Sequence, residues 1–411
     1  MSARSSFVFN PLLPSFSENP YEIYEALRSR DEPFYFADND MWLLSRYDDI
    51  SEITLGKQAV RSLVGISSPA DLADRQKRAN WHDMPFHERF VQFSLLDSDG
   101  DIHRRLRDQV FKHLARKSIT GLAPAIQSFV DRLISALETH KQIDFIGDFA
   151  VHIPGFVIGM LLGAPEEDCT QLRIWSENIV QFFDLDRSDE RKAIAETATE
   201  EFYHYLVALK AQRAQEPKDD LISSMIVDQA AGHYSDDEFI STCMLILMAG
   251  HGSTIDVLGS GMHTLLKLPS VLASLREDIS LLPNAIQEMF RYEPPLPFFH
   301  RHVIEETVIR GRKFPAGTTF GLLYGAANRD SAQFDKPNTF DIKRYPNRHL
   351  SFGRGSHLCL GNHLARLNMN IIFETLLRRF SDFQLVDEQV RYKRGLSVRG
   401  PESLSIAWTV K

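Results

Sequence analysis

Phe352-Gly353-Arg354-Gly355-Ser356-His357-Leu358-Cys359-Leu360-Gly361 puts one thiol on a glycine-rich loop directly before a helical pattern that runs from Asn362 to Phe380. A thiolate is a strong soft-metal ligand, and this setting favours the ionised form. Glycines let backbone N–H groups approach the sulfur, and the helix that follows points its positive end at it. One cysteine cannot close a structural zinc site, which takes four ligands, but it can serve as an axial ligand to a haem iron. The competing reading is a small buried hydrophobe, the usual fate of a free cysteine. The fixed glycine and aromatic positions around Cys359 weigh against it.

Working outward, length and composition set the bounds. A chain of 411 residues suggests two or three domains. Hydrophobic content of 43% and charged content of 25% describe a globular protein with ample core. With 46 Lys and Arg against 55 Asp and Glu, the net charge is −9, which argues against nucleic-acid binding by the molecule as a whole. The three cysteines, Cys169, Cys243 and Cys359, are far apart and odd in number. That is no disulfide framework and suits a reducing compartment. The N-terminal stretch Met1 to Tyr24 has no long apolar signal core, and no apolar run is read as approaching the ~18–20 residues that span a bilayer. A soluble, cytoplasmic protein is expected.

No internal repeat, low-complexity tract or Gly/Ser linker divides the chain. The first hundred residues mix short helical patterns (Pro20 to Arg30) with alternating stretches such as Met41 to Ser45. From about Asp101 to Pro283 the pattern is mostly helical, with apolar residues at three- and four-residue spacing over Asp101–His113, Ile119–Thr139 and Arg191–Gln215. Ser235-Asp236-Asp237-Glu238 is a capping box that starts a long helix, and Pro269 stops it. Strand signals follow at Val303–Ile309, Thr318–Leu323 and Leu404–Val410.

The spacing F-x-x-G-x-x-x-C-x-G, from Phe352 to Gly361, resembles the haem-binding loop of cytochromes P450, and the resemblance spans almost the whole chain. It implies a mainly α fold with small β-sheets: one large helical domain over 1–411 enclosing haem b. The part richer in strands is about 1–100, and the helical core and haem loop about 101–411. This overrules the multi-domain expectation. The likeness is to bacterial members rather than membrane-anchored ones.

Three further motifs carry the resemblance. Glu288 and Arg291 stand one turn apart on a helix beginning near Asn284; as an exposed pair they would contribute only ~0.2–0.5 kcal/mol. Beside the Cys359 loop they look like the family's E-x-x-R motif, and Arg344 matches the third member of its buried, structural triad. His103 and Arg107, at i,i+4 on the helix after the turn Asp97-Ser98-Asp99-Gly100, read alone as a solvated basic face. They are similar to the family's propionate-binding helix, and Arg301 and His357 match further propionate contacts. Phe352, Ala249 and Gly361 complete the residues that the resemblance sets against the cofactor.

Ala249-Gly250-His251-Gly252-Ser253-Thr254, on the long helix, resembles the family's oxygen-binding segment. Small residues there let a helix lie flat against haem, at ~1 kcal/mol of helix propensity per glycine. Here the chain departs from the pattern. Gly252 stands where the family has an acid, and Ser253 where it has a threonine. Gly252 cannot donate a proton. Ser253 keeps a hydroxyl, while Thr254, His251 and Asp256 are substitutes read as pointing in different directions from residue 252. Ser253, Gly252 and Thr254 are thus the candidate catalytic positions.

The resemblance implies O2, an apolar small-molecule substrate and a separate electron donor, since no flavin or nicotinamide glycine fingerprint is present. Arg104, Arg105, Lys112 and Arg116, with Arg354 in the Cys359 loop, would make a basic face for an acidic ferredoxin. Substrate contacts are expected from Leu245, Ala249, Phe182, Phe183, Phe298, Phe299 and Val398, and from the variable region Arg61 to Phe93. The expected activity is haem-thiolate monooxygenation. Gly252 keeps alive a peroxide-dependent, dehydrating or radical-coupling variant. A non-enzymatic haem sensor is the third reading, weakened by the lack of an appended sensor or DNA-binding module.

Overall fold

The computed structural model describes residues 7, 9–92 and 94–411. Residues 1–6 and 8 of the N-terminal stretch, and Phe93 at the end of the variable region, lie outside the described residues. Among the described residues helices dominate, with three small sheets, so the expected mainly α architecture is the one observed.

The organising element is the helix Asp236–Lys267. Its start is the capping box read from sequence: the Ser235 hydroxyl accepts the Glu238 N–H at 3.2 Å, and the Glu238 carboxylate accepts the Ser235 N–H at 2.9 Å. It ends at Leu268, and Pro269 opens the next helix at its first turn, where a missing N–H costs nothing. Most of its residues are buried on every side, which accounts for its weak amphipathic pattern. Helices His152–Leu162, Cys169–Val180, Asp189–Gln215 and Leu282–Tyr292 all pack on it. Its glycines set the closeness of these contacts: a Cβ on Gly250 would lie 2.5 Å from Ile158 Cδ1, and one on Gly261 2.8 Å from Met289 Sδ.

Two stretches pass a length-and-hydropathy test for crossing a membrane, contrary to the reading that none approaches it: Phe145–Leu162, mean hydropathy 1.8, and Asp236–Lys267, mean hydropathy 1.3. Both lie mostly buried inside the fold, which is how core helices of this length pass the same test.

The five-stranded sheet runs in the order Phe34–Phe36, Met41–Leu44, Thr319–Leu323, Phe298–Val303, Ala59–Val60. Only the Met41–Leu44/Thr319–Leu323 pair is parallel; Phe298 pairs with Leu323 and Arg301 with Phe320. A three-stranded sheet joins Gln142–Asp144, Ser405–Val410 and Phe380–Leu385.

Two sequence-level boundaries move. The single helix expected over Ile119–Thr139 is two, Arg116–Thr120 and Ala123–Leu137, because Pro124 has no N–H to continue the first and is pre-set to start the second. The strand expected over Val303–Ile309 is also two. Thr307–Ile309 forms its own hairpin with Arg312–Phe314 around Arg310 and Gly311, both at positive φ, as a two-residue hairpin turn demands.

Candidate active site

The Cys359 loop is tied down before its helix begins. The Cys359 N–H donates to the Phe352 carbonyl at 2.8 Å, and Gly353 and Gly355 take positive φ. Gly355 has no alternative, since a Cβ there would lie 2.2 Å from the Thr54 carbonyl oxygen. Helix Asn362–Arg379 follows at once, with Gly361 as its N-cap. Phe352 packs on Phe290 at 4.6 Å between ring centroids, and the Arg366 guanidinium stacks over it at 4.4 Å. Burial pushes the Cys359 thiol pKa up, while the N–H groups of Gly361 and Asn362 and the charges of Arg366 and Arg107 pull it down. Burial outweighs them, while the helix-start N–H groups that the sequence reading placed at the sulfur are among the groups that favour the thiolate. A cation at the sulfur is needed to complete the shift.

The helix Leu282–Tyr292 carries Glu288 and Arg291, both completely buried. They form a two-pronged pair at 2.7 Å and 2.7 Å. Arg344 Nε reaches both Glu288 oxygens at 3.2 Å, and Asp341 N–H and Asn347 Nδ2 add bonds at 2.8 and 2.9 Å. Arg291 spends its remaining N–H groups on the carbonyls of Asn328, Pro337 and Thr339 at 2.7–3.0 Å. The sequence-read triad is thus assembled and saturated, the condition under which a buried charge network holds elements together. Asp341 and Asn347 were not read from sequence, because their approach depends on the loop path.

His103, Arg107, Arg301 and His357 converge beside the loop. The His103 and His357 rings lie 4.2 Å apart, and Arg107 donates to the Leu358 carbonyl at 2.6 Å. His357 Nε2 lies 3.1 Å from Asp99 Oδ1. Asp99, the N-cap residue of that helix, makes no side-chain cap; it serves His357 and the N–H groups of Arg61 and Ser62 instead. Arg61, also buried, was missed as a member of this cluster because nothing in its local sequence marks it. It donates to the His300 carbonyl at 3.1 Å and to Asp97 at 2.7 Å. Arg301 shares that His300 carbonyl at 2.8 Å and has no carboxylate partner among the described residues. Burial and the neighbouring Arg61 charge draw its pKa down to about 10. Burial, then the His357 charge, take His103 to about 4. The cluster is short of negative charge.

On the long helix, Ala249 is exposed in the middle of an otherwise buried element, and Gly252 and Ser253 are half-buried. A Cβ on Gly252 would meet nothing within 4 Å. This stretch therefore has open, accessible space beside it. Ser253 Oγ donates to the Ala249 carbonyl at 3.0 Å, leaving its lone pairs free to accept. Thr254 is buried and bonds back to the Gly250 carbonyl at 3.2 Å. His251 lies against Gly155 with both ring nitrogens buried and without partners among the described residues. The reading that Asp256 points away from residue 252 needs correction. Four residues on an α-helix turn about 400°, so Asp256 lies about 40° round from Gly252 and about 6 Å along the axis. Its carboxylate is buried, accepts Lys393 Nζ at 2.7 Å on Oδ1, and leaves Oδ2 without a partner among the described residues. Burial raises its pKa against the Lys393 charge.

Of the substrate-contact residues, Leu245, Ala249, Phe183, Phe299 and Val398 present accessible surface. Phe182 and Phe298 do not. Phe182 is fully buried in a cluster with Met84, Ala195 and Trp81, and Phe298 packs with Met41, Leu43 and Leu323. Adjacent strand residues point to opposite faces, so Phe298 and Phe299 cannot both line one pocket. The basic face is thinner than its sequence implied: Arg104 pairs with Asp101, Arg105 with Glu238 at 2.5 Å and Lys112 with Asp228 at 2.8 Å. Arg354 turns to Ser51 Oγ at 3.1 Å.

These features suit one kind of group. Cationic and imidazole side chains short of counter-charge match two carboxylates, the small-residue helix stretch matches a flat apolar body, and a sulfur with two N–H groups at it matches an iron ligand.

The family model for cytochrome P450 matches residues 170–406. The biotin biosynthesis cytochrome P450 of Bacillus subtilis (strain 168) is 33% identical over 398 residues, 96% of this chain and 97% of that protein. Two solved structures superpose closely. P450BioI in complex with hexadec-9Z-enoic acid ligated acyl carrier protein has a TM-score of 0.87 at 31% identity, covering 96% of this chain and 100% of that one. The myxobacterial cytochrome P450 CYP267B1 in complex with myristic acid has a TM-score of 0.88 at 32% identity, covering 97% and 98%. The family match over more than half of the chain, a relative 33% identical along almost all of it and the close superposition on solved structures together show that the chain belongs to the cytochrome P450 family, the haem-thiolate monooxygenases.

Proposed function

We propose that the enzyme inserts one oxygen atom of O2 into an apolar small molecule, with haem b ligated by Cys359 and electrons from a separate ferredoxin and its reductase. The observation that carries this reading is the pairing of Cys359, with the Gly361 and Asn362 N–H groups at its sulfur, and a long helix whose middle opens at Ala249 and Gly252. A thiolate-ligated haem, when bound, supplies the reductive activation of dioxygen. The chain supplies the rest. Arg301, Arg107, His103 and His357 hold the propionates, with Arg61 beside them. Glu288, Arg291 and Arg344 brace the thiolate side. Ala249, with Leu245, Phe299 and Val398, shapes the apolar space above. Two related P450s carry a hexadecenoyl-loaded carrier protein and myristic acid, which favours a long acyl chain as the shape of the substrate.

Proton handling falls to Ser253 and Asp256. Ser253 offers lone pairs to an ordered water, and Asp256 offers a buried carboxyl whose partner Lys393 is one-third exposed and reaches solvent. The electron donor docks near the exposed Leu358, with Arg116 and Arg354 as cations and Arg104, Arg105 and Lys112 already partnered. We take 1–411 as one domain working in the cytoplasm.

A second reading, peroxide-dependent oxidation, dehydration or radical coupling, is favoured by one observation: Gly252 leaves the acid position empty of a side chain. Turnover with ferredoxin, its reductase and NAD(P)H, set against peroxide alone, separates the two. Product from the reductase system supports monooxygenation; product from peroxide only sinks it.

A further inference from the structure

The connection between helices Cys169–Val180 and Asp189–Gln215 sends Arg187 inward. Its guanidinium lies 5.0 Å above the Trp81 ring, and Nε donates to the Phe182 carbonyl at 3.1 Å. The two terminal nitrogens, the edge that forks onto a carboxylate, have no partner among the described residues. Asp184, the acid whose charge Arg187 feels, is committed to the N–H groups of Leu185, Leu396 and Ser397 at 2.6, 3.3 and 3.0 Å. The walls are aromatic. Trp81 lies 5.0 Å from His87, 5.5 Å from Phe182 and 5.5 Å from Phe183, centroid to centroid. His87 is fully buried, and its Nε2 has no partner among the described residues. Burial lowers the Arg187 pKa to about 10 against the Asp184 charge, while the terminal nitrogens are not among the sealed polar atoms and so stay within reach of a ligand.

This cation borders the residues assigned to the substrate. Phe183 accepts from Ser397 Oγ at 3.4 Å, next to Val398, and the Arg187 charge is among those felt at His300, next to Phe299.

We propose that Arg187 anchors a carboxylate on the substrate, so that the substrate is an apolar organic acid held by its acid end beneath the Phe182–Ser188 connection, its apolar body running toward Ala249. This rests on the monooxygenase reading. A guanidinium stacked on an indole presents its terminal N–H edge in a fixed plane, which suits a two-point bond to a carboxylate better than an ammonium would.

The test is a spin-state titration of the holoenzyme with tetradecanoic acid and with its methyl ester, which share shape and differ in charge. The wild type should bind the acid about tenfold or more tighter than the ester. Arg187→Gln should weaken the acid by about that factor and leave the ester within about twofold, with Arg187→Lys between. Unchanged ester binding shows that the variants are folded. Equal affinities in the wild type, equal weakening of both ligands by Arg187→Gln, or no shift with either overturns the anchor. Those results beside normal NAD(P)H-dependent turnover of another substrate overturn the anchor alone; absence of any such turnover overturns the monooxygenase reading itself.

Discussion

Gly252, which by resemblance matches the family's acid position, stands where a side chain would fit. The position has ordinary helical backbone and open space around its missing Cβ, so Gly252→Asp should be accommodated without strain. We expect it to raise the share of NADPH electrons recovered in product. Ser253→Ala, which removes the acceptor lone pairs, should divert electrons to peroxide. Asp256→Asn should do the same if the carboxyl one turn along supplies protons, with product per NADPH falling by about tenfold at constant substrate affinity. Product and peroxide measured per NADPH consumed decide this; unchanged ratios in all three variants would hand proton supply to the substrate. The departure at 252 was legible in the sequence. The Asp256–Lys393 pair was not, since its members are 137 residues apart and only the path of the 393–400 segment brings them together.

Helices and strands divide in the same way between what local spacing reveals and what folding adds. The i,i+3 placement of Glu288 and Arg291 could be read from four residues, as could the capping box at Ser235. The saturation of that pair could not, because Asn328, Pro337 and Thr339 accept only through backbone carbonyls and leave no residue-type signal. That saturation makes the pair costly to break. Glu288→Gln leaves two buried guanidiniums with a neutral partner, and we expect a loss of about 3–5 kcal/mol in urea unfolding together with poorer haem retention. Arg104→Ala, on an exposed pair with Asp101, should cost under about 1 kcal/mol by the same measurement. Similar losses in the two variants would contradict the structural role given to the triad. Strand alternation corrects the pocket: Phe299→Ala should alter ligand affinity, whereas Phe298→Ala should act on stability, because it removes a ring from the packing of Met41, Leu43 and Leu323.

For the whole molecule, burial governs both acid sensitivity and the state of the thiol. Desolvation holds His87, His251 and His349 near pKa 3 and His263 near 4. The unfolded chain therefore binds more protons than the folded one below about pH 6.5, so stability is full above that value and falls as pH drops toward 4. Each such histidine adds a slope of up to about 1.4 kcal/mol per pH unit. Thermal midpoints recorded across that window should fall steadily, and His251→Leu should flatten the decline; a pH-independent midpoint would contradict the burial of these rings. Cys359 obeys the same rule in reverse, its thiol raised by burial until a cation arrives at the sulfur. The sequence showed the loop, the glycines and the helix behind it, but not that desolvation outweighs them. Everything assigned to the site depends on that sulfur binding iron. The most direct test is the carbon monoxide difference spectrum of the reduced holoenzyme: a long-wavelength Soret band of thiolate-ligated haem in the wild type, lost in Cys359→Ala, is the expected result. A wild-type band at the shorter wavelength of imidazole-ligated haem, or a thiolate band that survives Cys359→Ala, would contradict it.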